Sequence, residues 1–338
     1  MSYAPTYEEA YGMDRRRFLL ASLAGALAAP RAAEAQAPTR VLRVGEYYGG
    51  QGIPAVIGAF AARLADLGFV NGQNIRIEER QAVPTPEDML AVAKSLIDLP
   101  VDVLVSWGTV ASAAARQATR TIPVVFLSVS DPVTSGLVAS LARPGGNMTG
   151  VTFDAASETA AKRLQLLMEI VPRISRVGVL HAQSDPNVAA QLESIKHVES
   201  TLGVHLVAVG FEGPEDLDLL FPRLRGQGFQ GLVVLPGALT FVNRVKIADL
   251  ALAHRLPSSH AFRETVVAGG LVSLGPNYVD MAKQGATLVS KILRGAKPAE
   301  LPVEQPTRFE IVINLKTAKA LGLTIPPSIL QRADQVIE

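Results

Sequence analysis

Asp131 lies between Ser130 and Pro132, a few residues after the apolar run 123–127. A carboxylate at the end of a buried strand can pair with an ammonium group through a charge-assisted hydrogen bond. It can equally cap a helix over 133–141, with Pro132 at the first helical position. Ser106, Trp107, Gly108 and Thr109 lead into a helical pattern at Ala111. Unpaired backbone N–H groups and the positive end of a helix dipole suit an anion there. Thr109 either caps that helix or offers its hydroxyl to a ligand. Trp107, the only tryptophan in the sequence, either stacks on a ligand or plugs the core.

Other candidates follow strand-like runs in the same way. They are Tyr48 after the first run, Phe153 and Asp154 further along, and His181 and Asn187 after the run 177–180. Gly237 after the run 231–235 would let a ligand approach the backbone closely. Arg263 either clamps an acid in two-toothed fashion or pairs with Glu264. His181 can hydrogen-bond a carboxylate or sit solvated, and Asn187 can cap a helix after Pro186.

Several chemistries lack their residues. The five histidines have no metal-ligand spacing, and the absence of cysteine removes thiolate sites and disulfides. No Gly-x-Ser-x-Gly or His-Glu-x-x-His segment is present. Arg143-Pro144-Gly145-Gly146-Asn147 lacks the Gly-Lys ending of a phosphate loop, and Gly49-Gly50-Gln51-Gly52 lacks dinucleotide spacing. We therefore expect no enzyme activity, no metal and no cofactor. A net charge of +1 gives no surplus for nucleic-acid binding.

The elements that must position these residues alternate. Strands are expected over 41–47, 74–80, 102–106 and 123–127, with helices over 53–67, 86–99 and 109–118. After a break at 142–147, helices over 157–171, 187–202, 214–225 and 241–254 alternate with strands over 177–180, 205–209, 231–235 and 270–274. A helix over 277–293, a linker over 297–306, a strand over 309–313 and a short helix over 315–321 follow, with an extended tail at 324–327. This series predicts an α/β fold of two Rossmann-like lobes with parallel sheets and right-handed crossovers. The expected N-terminal lobe is 41–150 plus 276–307, and the C-terminal lobe is 151–275 plus 308–338. Crossings near Gly150, Gly275 and Arg308 would form a hinge, with a ligand crevice at the carboxyl ends of the strands.

Residues 1–37 read as a signal region. Arg15-Arg16-Arg17-Phe18-Leu19 has the twin-arginine order, and the apolar run 18–29 falls short of the roughly 20 residues of a membrane span. Met13 is the expected start, with cleavage after Ala35. The expected location is the periplasm.

The blocks Ile122–Phe126, Asp131-Pro132-Val133, Gly136-Leu137-Val138 and Leu141–Gly150 together resemble the TrpX-like ABC-transporter substrate-binding proteins, which have a type I periplasmic-binding fold. Val177–Leu180, Asp185-Pro186-Asn187, Tyr278-Val279-Asp280, Lys291–Gly295 and Phe309–Ala318 extend that resemblance over residues 41–338. It implies a Venus-flytrap receptor that captures a small polar solute, such as an amino acid, and delivers it to the membrane subunits of an ABC permease. The receptor is expected to be a monomer that meets the membrane only through that permease. Alternatives of other classes are an extracytoplasmic sensor subunit and a bilobal α/β enzyme. Family members commonly carry Tyr or Trp followed by Asn where this chain has His181-Ala182-Gln183, a position expected to face the cleft.

Overall fold

The computed structural model describes residues 40–154 and 158–338; the signal region expected over 1–37, with its twin-arginine order, lies outside the described residues. Strand β1 (Leu42–Gly49) begins a βαβ series with α1 (Pro54–Asp66), β2 (Ile75–Ala82), α2 (Pro86–Ile97), β3 (Val103–Trp107), α3 (Thr109–Ala118), β4 (Val124–Ser130) and β5 (Met148–Asp154). All pair in parallel, in the order β2-β1-β3-β4-β5. Alternate residues serve opposite faces of a strand. Val103, Val105, Val125 and Leu127 join the core that holds Phe60 and Leu64 of α1, whereas Leu104, Val124 and Phe126 join the one that holds Met89 of α2 and Ala115 of α3. Burial on both faces is why β3 and β4 read as unbroken apolar runs.

The second sheet has the order β12-β11-β10-β9-β8-β6-β7. Its elements begin with α4 (Glu158–Ile170), β6 (Arg176–Ala182), α5 (Val188–Lys196), α6 (Glu199–Leu202), β7 (His205–Phe211), α7 (Pro214–Gly226) and β8 (Gly231–Val234). They continue with α8 (Ala238–Val242), α9 (Arg244–Ala253), β9 (Ser258–His260), α10 (Arg263–Val267) and β10 (Val272–Pro276). Helix α11 (Tyr278–Leu293) returns to the first sheet, where Met281, Ala286 and Val289 share a core with α1. Then β11 (Phe309–Asn314), α12 (Leu315–Leu321), α13 (Pro327–Arg332) and β12 (Gln335–Ile337) complete the second lobe. Strand β11 runs antiparallel to β10, so this sheet is mostly parallel.

Several expectations need correction. The first crossing follows Asp154 and does not lie at Gly150, because 148–154 is itself a strand of the first sheet. Gly150 is required there: a Cβ would overlap the Phe126 carbonyl oxygen. No helix covers 133–141. Asp131 sits at φ 42° and Gly136 at φ 67°, and the segment folds as successive turns. The expected helix over 187–202 is interrupted between α5 and α6, and the one over 241–254 is split at Asn243 into α8 and α9. The tail expected at 324–327 is free of helix and strand as far as Pro326, and the chain then forms α13 and the edge strand β12. The chain also changes lobe between Pro276 and Tyr278, and again after Glu304, whose amide donates to Gly150 O at 2.8 Å on the edge of β5. Asn147 Nδ2 donates to Ile122 O at 2.7 Å, and Asn314 Oδ1 accepts the Thr317 amide at 3.1 Å to cap α12.

Candidate functional site

The carboxyl ends of β1, β3, β4 and β5 face the loops after β6, β8 and β9 across a cavity. Its atom-free space, open mouth included, is about 790 Å³.

One pole is the start of α3. Gly108 adopts φ 86° as its N-cap residue, a left-handed conformation that favours glycine, and no side chain caps the helix. The first-turn amides have no intrahelical acceptor, so they and the helix dipole present a donor cluster beside Thr109. Ser130 lies next to it. Ser128 also lines the cavity, because β4 is irregular there: register shifts flank Val129, and Ser128 has φ 59°. Such bulges re-aim a side chain, and the Ser128 hydroxyl shares a 2.9 Å hydrogen bond with Tyr278 OH.

The other pole is Asp185, in the turn after β6. It is 9% exposed, and Oδ1 accepts the Asn187 amide at 2.9 Å. No cation pairs with it among the described residues. Burial pushes its pKa up to about 6 against the opposing pull of that amide.

The wall between the poles is aromatic. Trp107 and Phe153 meet Tyr278 edge-on at 6.5 and 6.1 Å between ring centroids, and Phe241 meets Phe262 at 4.9 Å and 77°. Trp107 is fixed by its indole N–H, which donates to Glu46 Oε1 at 2.8 Å. Tyr48 also lines the cavity, and its hydroxyl donates to Glu79. The arrangement can hold a small molecule that is anionic at one end, cationic at the other and flat and apolar between. Among the described residues no group of three or more His, Asp or Glu is placed to hold a metal ion.

Of the candidates read from sequence, the structure brings Tyr48, Gly108, Thr109, Ser130, Phe153 and Gly237 to the cavity. Ser106 is buried beneath α3, with its hydroxyl 3.0 Å from that of Ser112. Asp131 turns away, because its left-handed backbone leaves Oδ1 accepting the Thr134 amide at 3.0 Å. The side chain of Asp154 lies outside the described residues. His181 does not face the cleft: its Nδ1 lies 3.1 Å from Val179 O, and its ring packs beside Gly210 of β7. Arg263 is exposed and donates to Gln335 Oε1 at 2.7 Å, away from the cavity.

Asn187 does something not foreseen. Its Nδ2 reaches from the second lobe to Thr109 Oγ1 at 3.2 Å and to Ser130 O at 2.5 Å in the first, so it ties the lobes together beside the site. Asp185, Phe241, Phe262 and Tyr278 were missed as contacts. For Asp185 a usable signal existed, a carboxylate before proline after a strand, the same signal that singled out Asp131.

A family model described as ABC transporter substrate binding protein matches residues 47–337. A tyrosine-binding protein of Clostridioides difficile is 27% identical over 264 residues, 78% of this chain and 75% of the relative. Among solved structures, a conserved domain protein from Vibrio cholerae superposes with a TM-score of 0.82 at 27% identity, covering 88% of this chain and all of that one. A Streptococcus pneumoniae domain solved with L-Trp gives 0.81 at 24%, over 88% of this chain and 99% of that one. The ligand-free, open structure of a Clostridium difficile substrate-binding protein with adhesive properties gives 0.64 at 26%, with the same coverage.

Proposed function

The chain belongs to the ABC transporter substrate-binding protein family, and on that premise we propose that its cleft captures a free aromatic amino acid for delivery to a membrane permease. The observation that carries this reading is the pairing of opposite poles across an aromatic wall. Asp185 takes the ammonium, the start of α3 with Thr109 and Ser130 takes the carboxylate, and the ring lies against Trp107, Phe241 and Tyr278. The clostridial relative named for tyrosine supports the ligand class. The Asn187 ties between lobes support a closing cleft, with the closed form stabilised by the ligand's differential affinity for it. The signal region read from residues 1–37 supports export to the periplasm, where a permease would meet the protein.

Calorimetry with tyrosine, tryptophan and phenylalanine, set beside tyramine and 3-(4-hydroxyphenyl)propionate, tests the two poles. The amino acids should bind, and each one-pole analogue should lose about ten- to a hundredfold. Asp185→Asn should lose a similar factor for tyrosine while leaving the weak binding of the ammonium-free acid unchanged. Equal binding of the acid and tyrosine by the wild type would overturn the ammonium role. The pH sign follows from the free-state value of about 6. An ammonium lowers that value, so the contribution of Asp185 to affinity is full well above pH 6 and is lost as pH falls through it.

A further inference from the structure

Behind the wall of the cleft lies a second carboxylate that touches no part of the cavity. Glu46 on β1 is 1% exposed. Its Oε1 accepts the Trp107 indole N–H at 2.8 Å, and its Oε2 is buried with no hydrogen-bond partner. Its register partner on β2 is Glu79, which accepts the Tyr48 hydroxyl. Two adjacent carboxylates thus each hold one aromatic side chain of the cavity, and no cation pairs with either among the described residues.

We propose that Glu46 is a positioning residue: its ionised carboxylate holds the Trp107 indole in the cleft wall, and a proton on Glu46 loosens that wall and weakens solute capture without touching the solute. An ionised acceptor makes the shorter and stronger bond to an N–H. A neutral acid accepts more weakly and adds an O–H that finds no partner at Oε2. The other titratable groups bearing on this assembly are Glu79 across the sheet, Tyr48 on the same strand, and Tyr278, whose ring meets Trp107 edge-on. On β2 the neighbouring Glu78 is paired with Arg76 at 2.6 Å. All five histidines lie between 181 and 260, on the other lobe. Burial, reinforced by Glu79 and opposed by the Trp107 bond, raises the Glu46 pKa to about 7, within reach of an ordinary titration.

Because Trp107 is the sole tryptophan, its fluorescence reads the proposed wall directly. In ligand-free wild-type protein the emission should shift with a midpoint near pH 7. Glu46→Gln keeps an acceptor for the indole but cannot titrate, so it should abolish that transition with the far-UV circular dichroism unchanged. Absence of the transition in wild type, or its persistence in E46Q, overturns the proposal. Should E46Q not fold, the indole N–H resonance of wild-type protein serves instead: it should move with the same midpoint, and a pH-independent signal overturns the proposal.

The affinity arm rests on the amino-acid reading above; the spectroscopic arm does not. Between pH 8 and 6.5 wild-type tyrosine affinity should fall roughly threefold, within the limit of about tenfold per pH unit for one proton. E46Q should be flat over that interval. A fluorescence transition with flat wild-type affinity would overturn the link to capture. Failure of tyrosine to bind at any pH would instead overturn the amino-acid reading, with the fluorescence result still standing.

Discussion

Asp185 and Glu46 both surrender water without gaining a cation, and this has a cost that pH can remove. Their folded values of about 6 and about 7 lie above the ordinary 3.8 and 4.5. Between each pair of values the folded protein holds a proton that the unfolded chain lacks. The ligand-free protein should therefore gain stability as pH falls from 8 towards 5, the reverse of a salt-bridged carboxylate. Melting temperatures across that range check the sign, and Glu46→Gln should remove most of the slope. At pH 8 the variant should be more stable by about 3 kcal/mol or slightly more, since every tenfold rise in a buried carboxylate's proton affinity costs its ionised form about 1.4 kcal/mol. At this scale the sequence was only half legible. Asp131-Pro132 and Asp185-Pro186 look alike, each a carboxylate before proline after an apolar strand. What separates them is the backbone. The left-handed φ of Asp131 turns its oxygen onto the Thr134 amide, while the Asn187 amide holds one oxygen of Asp185 at the cleft. Residue type and spacing do not encode that difference.

Among the elements, those that bury an apolar face are the ones the sequence discloses. Strands β3 and β4 and helices α1 and α2 stand out by their continuous or periodic apolar residues. Strand β9, Ser258-Ser259-His260, is as buried as any of them but wholly polar. Neighbouring strands take its backbone groups and Ser258 Oγ hydrogen-bonds His260 Nε2 at 2.8 Å, while Ser259 Oγ and His260 Nδ1 are buried without a partner among the described residues. Burial also lowers the His260 pKa to about 3, so the ring stays neutral. Two glycines give a paired test of strand and helix packing. At Gly275 on β10 a Cβ would overlap the Ala261 carbonyl oxygen, which cannot retreat as a side chain could. Gly275→Ala should cost about 3 kcal/mol or more. Gly58 in α1 has open space where a Cβ would stand. Gly58→Ala should stabilise by about 0.5–1 kcal/mol. Chemical denaturation resolves both, and equal effects at the two sites would refute the packing account.

For the whole molecule, the tie that matters is Asn187, which spans the cleft to Thr109 and Ser130. Asn187→Ala should favour the open form. Small-angle scattering of ligand-free protein should then give a larger radius of gyration than wild type, and tyrosine should dissociate faster. An unchanged radius and off-rate would remove Asn187 from the closing device. The bilobal plan itself was readable, because alternating strands and helices restart after the Arg143–Asn147 turn. The first crossing was placed too early because Met148–Asp154 mixes Gly and Thr among its apolar residues, so neither alternation nor a continuous run marks it as a strand. Replacing Arg15 and Arg16 with lysine should strand the precursor in the cytoplasm, which cell fractionation would read.

The returning segments also set a timetable. A ribosome releases the chain from its N-terminus. The first lobe lacks a covering helix until Tyr278–Leu293 has emerged, and the second lacks β11 and β12 until Phe309–Ile337 has followed. Neither lobe can close its core early in synthesis, so the nascent chain must stay collapsed but unfinished until translation is nearly over. A chaperone that shields apolar surface would find its longest engagement with this protein in that interval, and truncation just before Phe309 should leave it bound.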